Sequence, residues 1–276
     1  MGRLYPRMRE RPPEFRINPE SPLYCDLRAL YLLTPLSSRL WNAGTNTYAV
    51  NANYYTGPEY SWSDTLNRPA IRFNTTTHTQ PRGYIQSQLY VRSGSGYTYA
   101  AWVFGRAGLG ARSVVLWCPT SFLSLEHYPV GKVRYVLQVS PYSSAAAPIT
   151  LNTWEHFTGT YDYSNIKLWK NGIVAEQTAR TQSLPSTYGD MYIGCANMSD
   201  SFGWVGSLAD CAVWSRPLSA AEIAALADPS NVDLRVGGVP LILPPRRRFF
   251  PSVEIHAPTF NPAWAQHVNT YIGLGR

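Results

Sequence analysis

From Leu23 onward, short apolar runs alternate with Gly, Asn, Ser and Pro at intervals of about 8 to 15 residues, the spacing of short antiparallel strands joined by turns. The run YTYAAWVF, Tyr97 to Phe104, stands between Gly94, Gly96 and Gly105 and predicts a strand. In KVRYVLQV, the residues Val133, Tyr135, Leu137 and Val139 alternate with Lys132, Arg134, Val136 and Gln138, so one face is expected to be buried. Ile166 to Val174 reads as strand, turn, strand, because Asn171-Gly172 accepts the two positive φ values of a type I′ hairpin. One helix is predicted, at SAAEIAAL, where Ser219 can cap the first turn and Glu222 can return the bond. The pattern stops at both ends. Residues 1–22 show no period, and beyond Asp228-Pro229 the stretch VGGVPLILPPRRRFFP breaks any regular element. The chain therefore divides into an N-terminal arm (1–22), an all-β antiparallel body (23–230) and a C-terminal arm (231–276).

The body resembles a known family. LNTWEHFTGTYDYSNIKLWKNGIVAEQ, residues 151–177, is similar to the laminin-G-like pattern of a Trp, a nearby His, a "GTYD" strand and an Asn-Gly hairpin. MYIGCANMSDSFGWVGSLADCAVWSRPLSAAEIAAL, residues 191–226, is similar to that family's closing stretch, including Trp214, Arg216, Leu218, Ser219 and Glu222. With AWV in YTYAAWVF, and PAIRFN in place of the family's "L.FDG" strand, the resemblance spans about residues 23–226. It implies a two-sheet jelly-roll sandwich of the concanavalin A-like type, with one short C-terminal helix and extended terminal arms. Phe73-Asn74-Thr75 lacks the Asp and Gly of the family pattern, and Ala209 stands where it has Asp, although Asp210 follows. These departures remove carboxylates for the calcium that some members bind, so no metal is assigned.

Composition suits such a core, with 45% hydrophobic residues, 19 Tyr and 9 Trp in 276 residues. Charge changes the picture. Residues 1–16 carry five Arg against Glu10 and Glu14, a balance of +3, and residues 235–276 carry five Arg against Glu254, a balance of +4. The stretch between them is neutral, so the whole excess of +7 sits at the ends. Cys25, Cys118, Cys195 and Cys211 form no CxxC pair or Cys/His cluster, which argues against structural zinc. A Cys195 to Cys211 bridge is conceivable, and reduced, buried thiols are the default. No apolar run reaches signal-peptide or membrane-span proportions, so neither secretion by the classical route nor membrane insertion is expected.

Candidate chemistry is sparse. The E-x-D-x-x-E strand that places two carboxylates on one sugar is absent. Glu155, Asp162, Asp190 and Asp210 read as isolated turn residues or solvated strand partners, and His156 as a hydrogen-bonded structural residue, so no catalytic residue, cofactor or enzymatic activity is expected. The sequons at Asn74 and Asn197 read as chance occurrences. In NANYYTGPEYSWSD, Tyr54, Tyr55, Tyr60 and Trp62 stand among polar residues. Three readings stay open for them: edge packing, contact with a neighbouring subunit, or stacking on a glycan.

The arms carry the clearest functional signal. Arg3, Arg7, Arg9 and Arg11 at one end, with Arg246, Arg247, Arg248, Phe249, Phe250, Trp264 and Tyr271 at the other, combine the residue types that dominate contact energy at interfaces. Arg outnumbers Lys 21 to 3, which favours bidentate pairing over simple solubility. One triple-Arg run beside a neutral body is a poor nucleic-acid site, so docking on a protein lattice is favoured. Laminin-G-like sandwiches with such a tail are similar to structural proteins of tailed bacteriophages. That resemblance implies a multi-copy virion subunit, decorating a capsid or belonging to a tail, with virion proteins as partners and assembly in the host cytoplasm. The alternative is an adhesin that recognises host-surface glycans.

Overall fold

The computed structural model describes residues 21–31, 41–42, 47–48, 58–66, 68–73, 85–91, 96–110, 112–119, 123–182, 184, 187–196 and 202–230. All of them fall in the compact unit Met1–Leu241, and a second unit, Ile242–Arg276, lies outside the description.

A turn of 3-10 helix (Pro22–Tyr24) leads into β1 (Leu27–Tyr31), followed by the short strands β2 (Trp41–Asn42) and β3 (Thr47–Tyr48). Next come the hairpin β4 (Pro58–Ser63) and β5 (Arg68–Phe73), then β6 (Ile85–Val91) and the long β7 (Tyr97–Gly105). A meander follows: β8 (Ser113–Cys118), β9 (Leu123–His127), β10 (Lys132–Leu137) and β11 (Ser143–Pro148). A second meander is β12 (Trp154–Tyr161), β13 (Asn165–Lys170) and β14 (Ile173–Ala179). β15 (Thr187–Ile193), β16 (Gly206–Trp214) and α1 (Ala220–Ala227) complete the described chain. Two antiparallel sheets result. The ten-stranded sheet runs β14-β13-β12-β7-β16-β1-β2-β3, with β5 also on β16 and β4 on β5, and the six-stranded sheet runs β11-β10-β9-β8-β15-β6. The all-β sandwich with one short helix is thus as the alternation implied. At the expected hairpin, Asn171 and Gly172 have φ of 50° and 83°, and the Ser219–Glu222 capping box is complete.

The core lies between the sheets. Tyr97, Tyr99, Ala101 and Val103 of β7 and Phe157 and Tyr161 of β12 face Leu123, Leu125, Val133, Tyr135 and Leu137 of the other sheet. Burying an aromatic or branched side chain of this kind stabilises by about 1.5 to 3 kcal/mol. Gly159 sits directly under the Tyr135 ring, where a Cβ would stand 2.1 Å from a ring carbon. β10 departs from simple alternation. Val136 belongs to the outward face, yet it is only 2% exposed, flanked by Ser124 and Ser144 in the strand register.

A second apolar cluster covers the outside of the ten-stranded sheet, where Ile223 and Leu218 pack with Trp169, Trp214, Leu23, Leu27 and Leu30. The family-like residues do this joining. The Trp214 indole donates to the Leu23 carbonyl at 2.7 Å, Arg216 donates to the carbonyls of Cys25 and Pro22, and both Arg216 Nη groups reach Glu222 on α1. Strand, helix and N-terminal turn are thereby held at one point.

Where β11 borders β14, side chains meet backbone. Thr178 donates to the Ser144 carbonyl and Lys170 to that of Pro148, while Glu176 accepts from the Ala146 amide. Residues 144, 146 and 148 are alternate positions of an edge strand, so these bonds fall on one side of it.

Candidate functional site

Because β9 turns Leu123 and Leu125 inward, Ser124 and Glu126 face the other way. Register places Glu126 opposite Arg134 of β10 and Val114 of β8. The Glu126 side chain is fully buried, which for an ionised carboxylate requires close partners. Two guanidinium groups meet it. Arg112 donates from Nε to Oε2 at 2.9 Å, with its Nη2 also 2.9 Å from that oxygen in an ion pair, and Arg134 donates from Nε at 2.8 Å and Nη2 at 2.5 Å to Oε1. An aromatic ring backs each guanidinium, Phe202 at 4.8 Å from Arg112 and Tyr128 at 4.1 Å from Arg134. The result is a ladder, Tyr128–Arg134–Glu126–Arg112–Phe202, in which β9 and β10 supply Glu126 and Arg134 and the flanking loops supply the rest.

The neighbouring row on this face reads Tyr192, Trp117, Ser124, Val136 and Ser144. Trp117 and Tyr192 are tilted by 33° with ring centroids 5.8 Å apart, and Gln138 donates to the Ser124 hydroxyl at 2.9 Å. The Trp117 indole N–H is buried and has no hydrogen-bond partner among the described residues. Sequence reasoning missed this whole arrangement. Ser124-Leu125-Glu126 does alternate, but which cation faces Glu126 depends on register between strands.

The ten-stranded sheet has its own polar cluster. Arg68 donates from Nε to the Leu66 carbonyl at 3.1 Å, from Nη1 to Asp210, and from Nη2 to the Pro229 carbonyl at 2.6 Å. The guanidinium lies 5.7 Å from the Trp102 ring, which meets His156 edge-on at 5.1 Å. Burial first, then the charge of Arg68, pushes the His156 pKa down to about 3, so the imidazole is neutral across the ordinary range. Asp210 sits at a bulge in β16 with φ of 45°. The guanidinium is committed and the imidazole shut in, so this cluster braces the fold.

The acidic residues are more engaged than the sequence suggested. Asp162 is a turn residue, accepting from the Ser164 and Asn165 amides. Glu155 is neither isolated nor solvated: it is buried, pairs with Lys170 at 2.8 Å and accepts from the Thr150 amide. Asp210 likewise pairs with Arg68. Each of these two carboxylates finds a cation on the adjacent strand, which linear spacing does not reveal. The Asp190 side chain lies outside the described residues, although its backbone is in β15. All four cysteines are unbridged, and Cys118, Cys195 and Cys211 are buried. Among the described residues, no group of His, Cys, Asp and Glu could hold a metal, and no helix is long and apolar enough to cross a membrane.

Tyr60 and Trp62 lie on β4 opposite Ile71 and Pro69, with side chains outside the description, as are Tyr54 and Tyr55 entirely. Arg3, Arg7, Arg9, Arg11, Arg246, Arg247, Arg248, Phe249, Phe250, Trp264 and Tyr271 also fall outside the described residues.

The model of the family described as the concanavalin A-like lectin/glucanases superfamily matches residues 78–224, more than half of the 276-residue chain. The chain belongs to this superfamily. Solved structures with the same fold include the receptor binding domain of botulinum neurotoxin D, with a TM-score of 0.55 and 13% identity over 75% of this chain and 53% of that one. The binding domain of Paraclostridial Mosquitocidal Protein 1 gives a TM-score of 0.57 and 14% identity over 75% and 52%. The ligand binding domain of botulinum neurotoxin serotype D in complex with N-acetylneuraminic acid gives 0.57 and 13% over 74% and 51%. The chain spans about half the length of these domains, and at such identity the likeness is one of fold. No curated protein matches it in sequence. The concanavalin A-like superfamily takes in lectins and glucanases by its description, so the chemistry of this member rests on its own residues.

Proposed function

We propose that the chain is a non-enzymatic structural subunit of a phage virion, in capsid decoration or in a tail, anchored by its arms with the lectin-type sandwich outward. One observation carries this reading: positive charge is segregated to residues 1–16 and 235–276, while the body between them has no net charge. Arg28, Arg68, Arg112, Arg134, Lys167, Lys170 and Arg216 each meet a carboxylate of the body. The body therefore offers little long-range attraction, and anchoring falls to the arms. The domain division 1–22, 23–230 and 231–276 belongs to this proposal, as do multi-copy assembly and virion localisation. Deleting residues 235–276 is expected to abolish incorporation into the particle while circular dichroism still reports a folded sandwich. Unchanged incorporation overturns the reading.

The same pairing supports the absence of catalysis. Glycoside hydrolysis requires two carboxyl groups free to face one sugar, whereas Glu126, Glu155, Asp210 and Glu222 are each held by a cation. No product release from laminarin or agar is expected.

A second reading, recognition of host-surface glycans, is favoured by the fold shared with toxin receptor-binding domains, one of them solved with N-acetylneuraminic acid. Tyr54, Tyr55, Tyr60 and Trp62 are its candidate contacts. Specific binding on a glycan array that is lost in Trp62→Ala supports it, and a silent array removes it.

A further inference from the structure

We infer that one end of the sandwich docks on the surface of an anionic phospholipid bilayer, with Val130, Leu151 and Ile173 entering the headgroup layer and Lys132 and Arg106 meeting the phosphates around them. The argument starts from where apolar surface is left bare. Among the described residues six large hydrophobic side chains are exposed, and five of them, Tyr128, Val130, Leu151, Ile173 and Val174, belong to the same end. There β9 turns into β10, β11 crosses to β12 and β13 turns into β14. Tyr142, between β10 and β11, is the sixth and stands at the opposite end.

Printed contacts of the backbone draw these connections together. The Gly131 carbonyl accepts from the Ile149 amide at 3.0 Å, and the Asn152 amide donates to the Gly105 carbonyl at 2.7 Å. Lys170 donates to the Pro148 carbonyl at 2.8 Å and stands opposite Ile173 in the strand register. The stretch from Pro148 to Asn152 therefore bridges the two turns and joins Val130, Leu151 and Ile173 into one patch. Val130 and Ile173 project furthest, at 72% and 74% exposure. Monomers seldom leave apolar side chains grouped in the open without a surface to cover them.

Charge selects that surface. Among the described residues this end carries Arg106, Arg112, Lys132, Arg134 and Lys170 against Glu126, Glu155 and Asp228, a balance of +2. Glu126 and Glu155 are buried against their cations, and Asp228 turns its carboxylate to Ser230. Lys132 is exposed, and neither it nor Arg106 pairs with a carboxylate of the described residues. A second copy would bring the same sign to the same place, which disfavours self-association through this end. An anionic layer is attracted instead, within about a Debye length. The aliphatic tips then favour lipid over protein. Protein hot spots rely on Trp, Tyr and Arg and make little use of Val and Leu, whereas a fluid interface accepts separate branched side chains without a matching pocket. The end rests on the bilayer and does not cross it. Only body residues take part, so the inference stands apart from the assembly reading.

The test uses the full chain with Cys25→Ser, which removes the exposed thiol, and an environment-sensitive thiol dye on Val130→Cys or, as the far-end control, on Tyr142→Cys. The basic arms hold both labelled proteins to a charged vesicle alike, so the difference between the two positions is the readout. With vesicles of phosphatidylglycerol in phosphatidylcholine, the dye at 130 is expected to brighten severalfold while the dye at 142 stays unchanged. With phosphatidylcholine alone neither responds. Lys132→Gln together with Arg106→Gln is expected to cut the brightening at 130 to about a third or less. Should Val130→Cys fail to fold, Ile173→Cys reads a second tip. An unchanged dye at the tips, equal brightening at 142, or full brightening in the folded double Gln variant overturns the inference. So does a stronger response at 130 to poly-glutamate than to vesicles, which would make this end a protein site.

Discussion

Tyr135 and Gly159 show how tightly single residues are specified. The Tyr135 hydroxyl is buried without a hydrogen-bond partner among the described residues, so removing it breaks no bond there and relieves a desolvation cost: Tyr135→Phe is expected to be neutral or to stabilise by up to about 1 kcal/mol. Gly159→Ala pushes a methyl group into the same ring and is expected to cost about 3 kcal/mol, read by urea unfolding at equilibrium. His156 adds a dependence on pH. Its folded pKa, about 3, lies below the ordinary 6.5, so the unfolded chain takes up the proton more readily. Stability from the neutral imidazole is complete above 6.5 and falls as pH drops toward 3. A loss of about 2 kcal/mol is expected between about pH 7 and about pH 5, and His156→Gln should remove it.

At the level of elements, the Arg216–Glu222 pair decides whether α1 and the N-terminal turn stay docked. Arg216→Gln gives up bonds to two carbonyls and a carboxylate and is expected to cost about 2 kcal/mol. Cleavage near Pro22–Tyr24 under limited proteolysis should quicken in the same variant. Burial acts to raise the Glu222 pKa, but bonds from Arg216 and Ser219 outweigh it and hold the carboxyl below its usual 4.5. Its contribution is therefore present above about pH 4.5 and lost as pH falls through the lowered value. Elements whose determinants are local were legible in the chain: the Asn171-Gly172 turn, the Ser219 cap and the β7 strand each depend on a few adjacent residues. The Glu126 ladder was not, because its members come from two strands and the loops beside them and meet only once register is set. For the same reason Glu155 and Asp210 read as isolated in the sequence, yet each has a cation beside it.

For the molecule as a whole, the two-sheet architecture was readable from alternation and from the Trp214 to Glu222 stretch. That stretch proves to be a structural clasp: Trp214 and Arg216 reach the backbone of Leu23, Cys25 and Pro22. The segregated charge yields a prediction at this scale. Under the proposed virion role, with anchoring electrostatic in its first step, attachment of the intact chain to a particle should weaken as salt rises past the point where the Debye length is about 8 Å, while the sandwich itself keeps its melting temperature. Sedimentation of particles across a salt series separates the two responses.

The bonds that Lys170, Glu176 and Thr178 make to the rim of β11 have a consequence for crowding. A bare rim would be a template on which another polypeptide could zip up, and the hazard grows with local concentration. Here the carbonyls of Ser144 and Pro148 and the amide of Ala146 are already occupied, so that side offers a second chain no free row to extend.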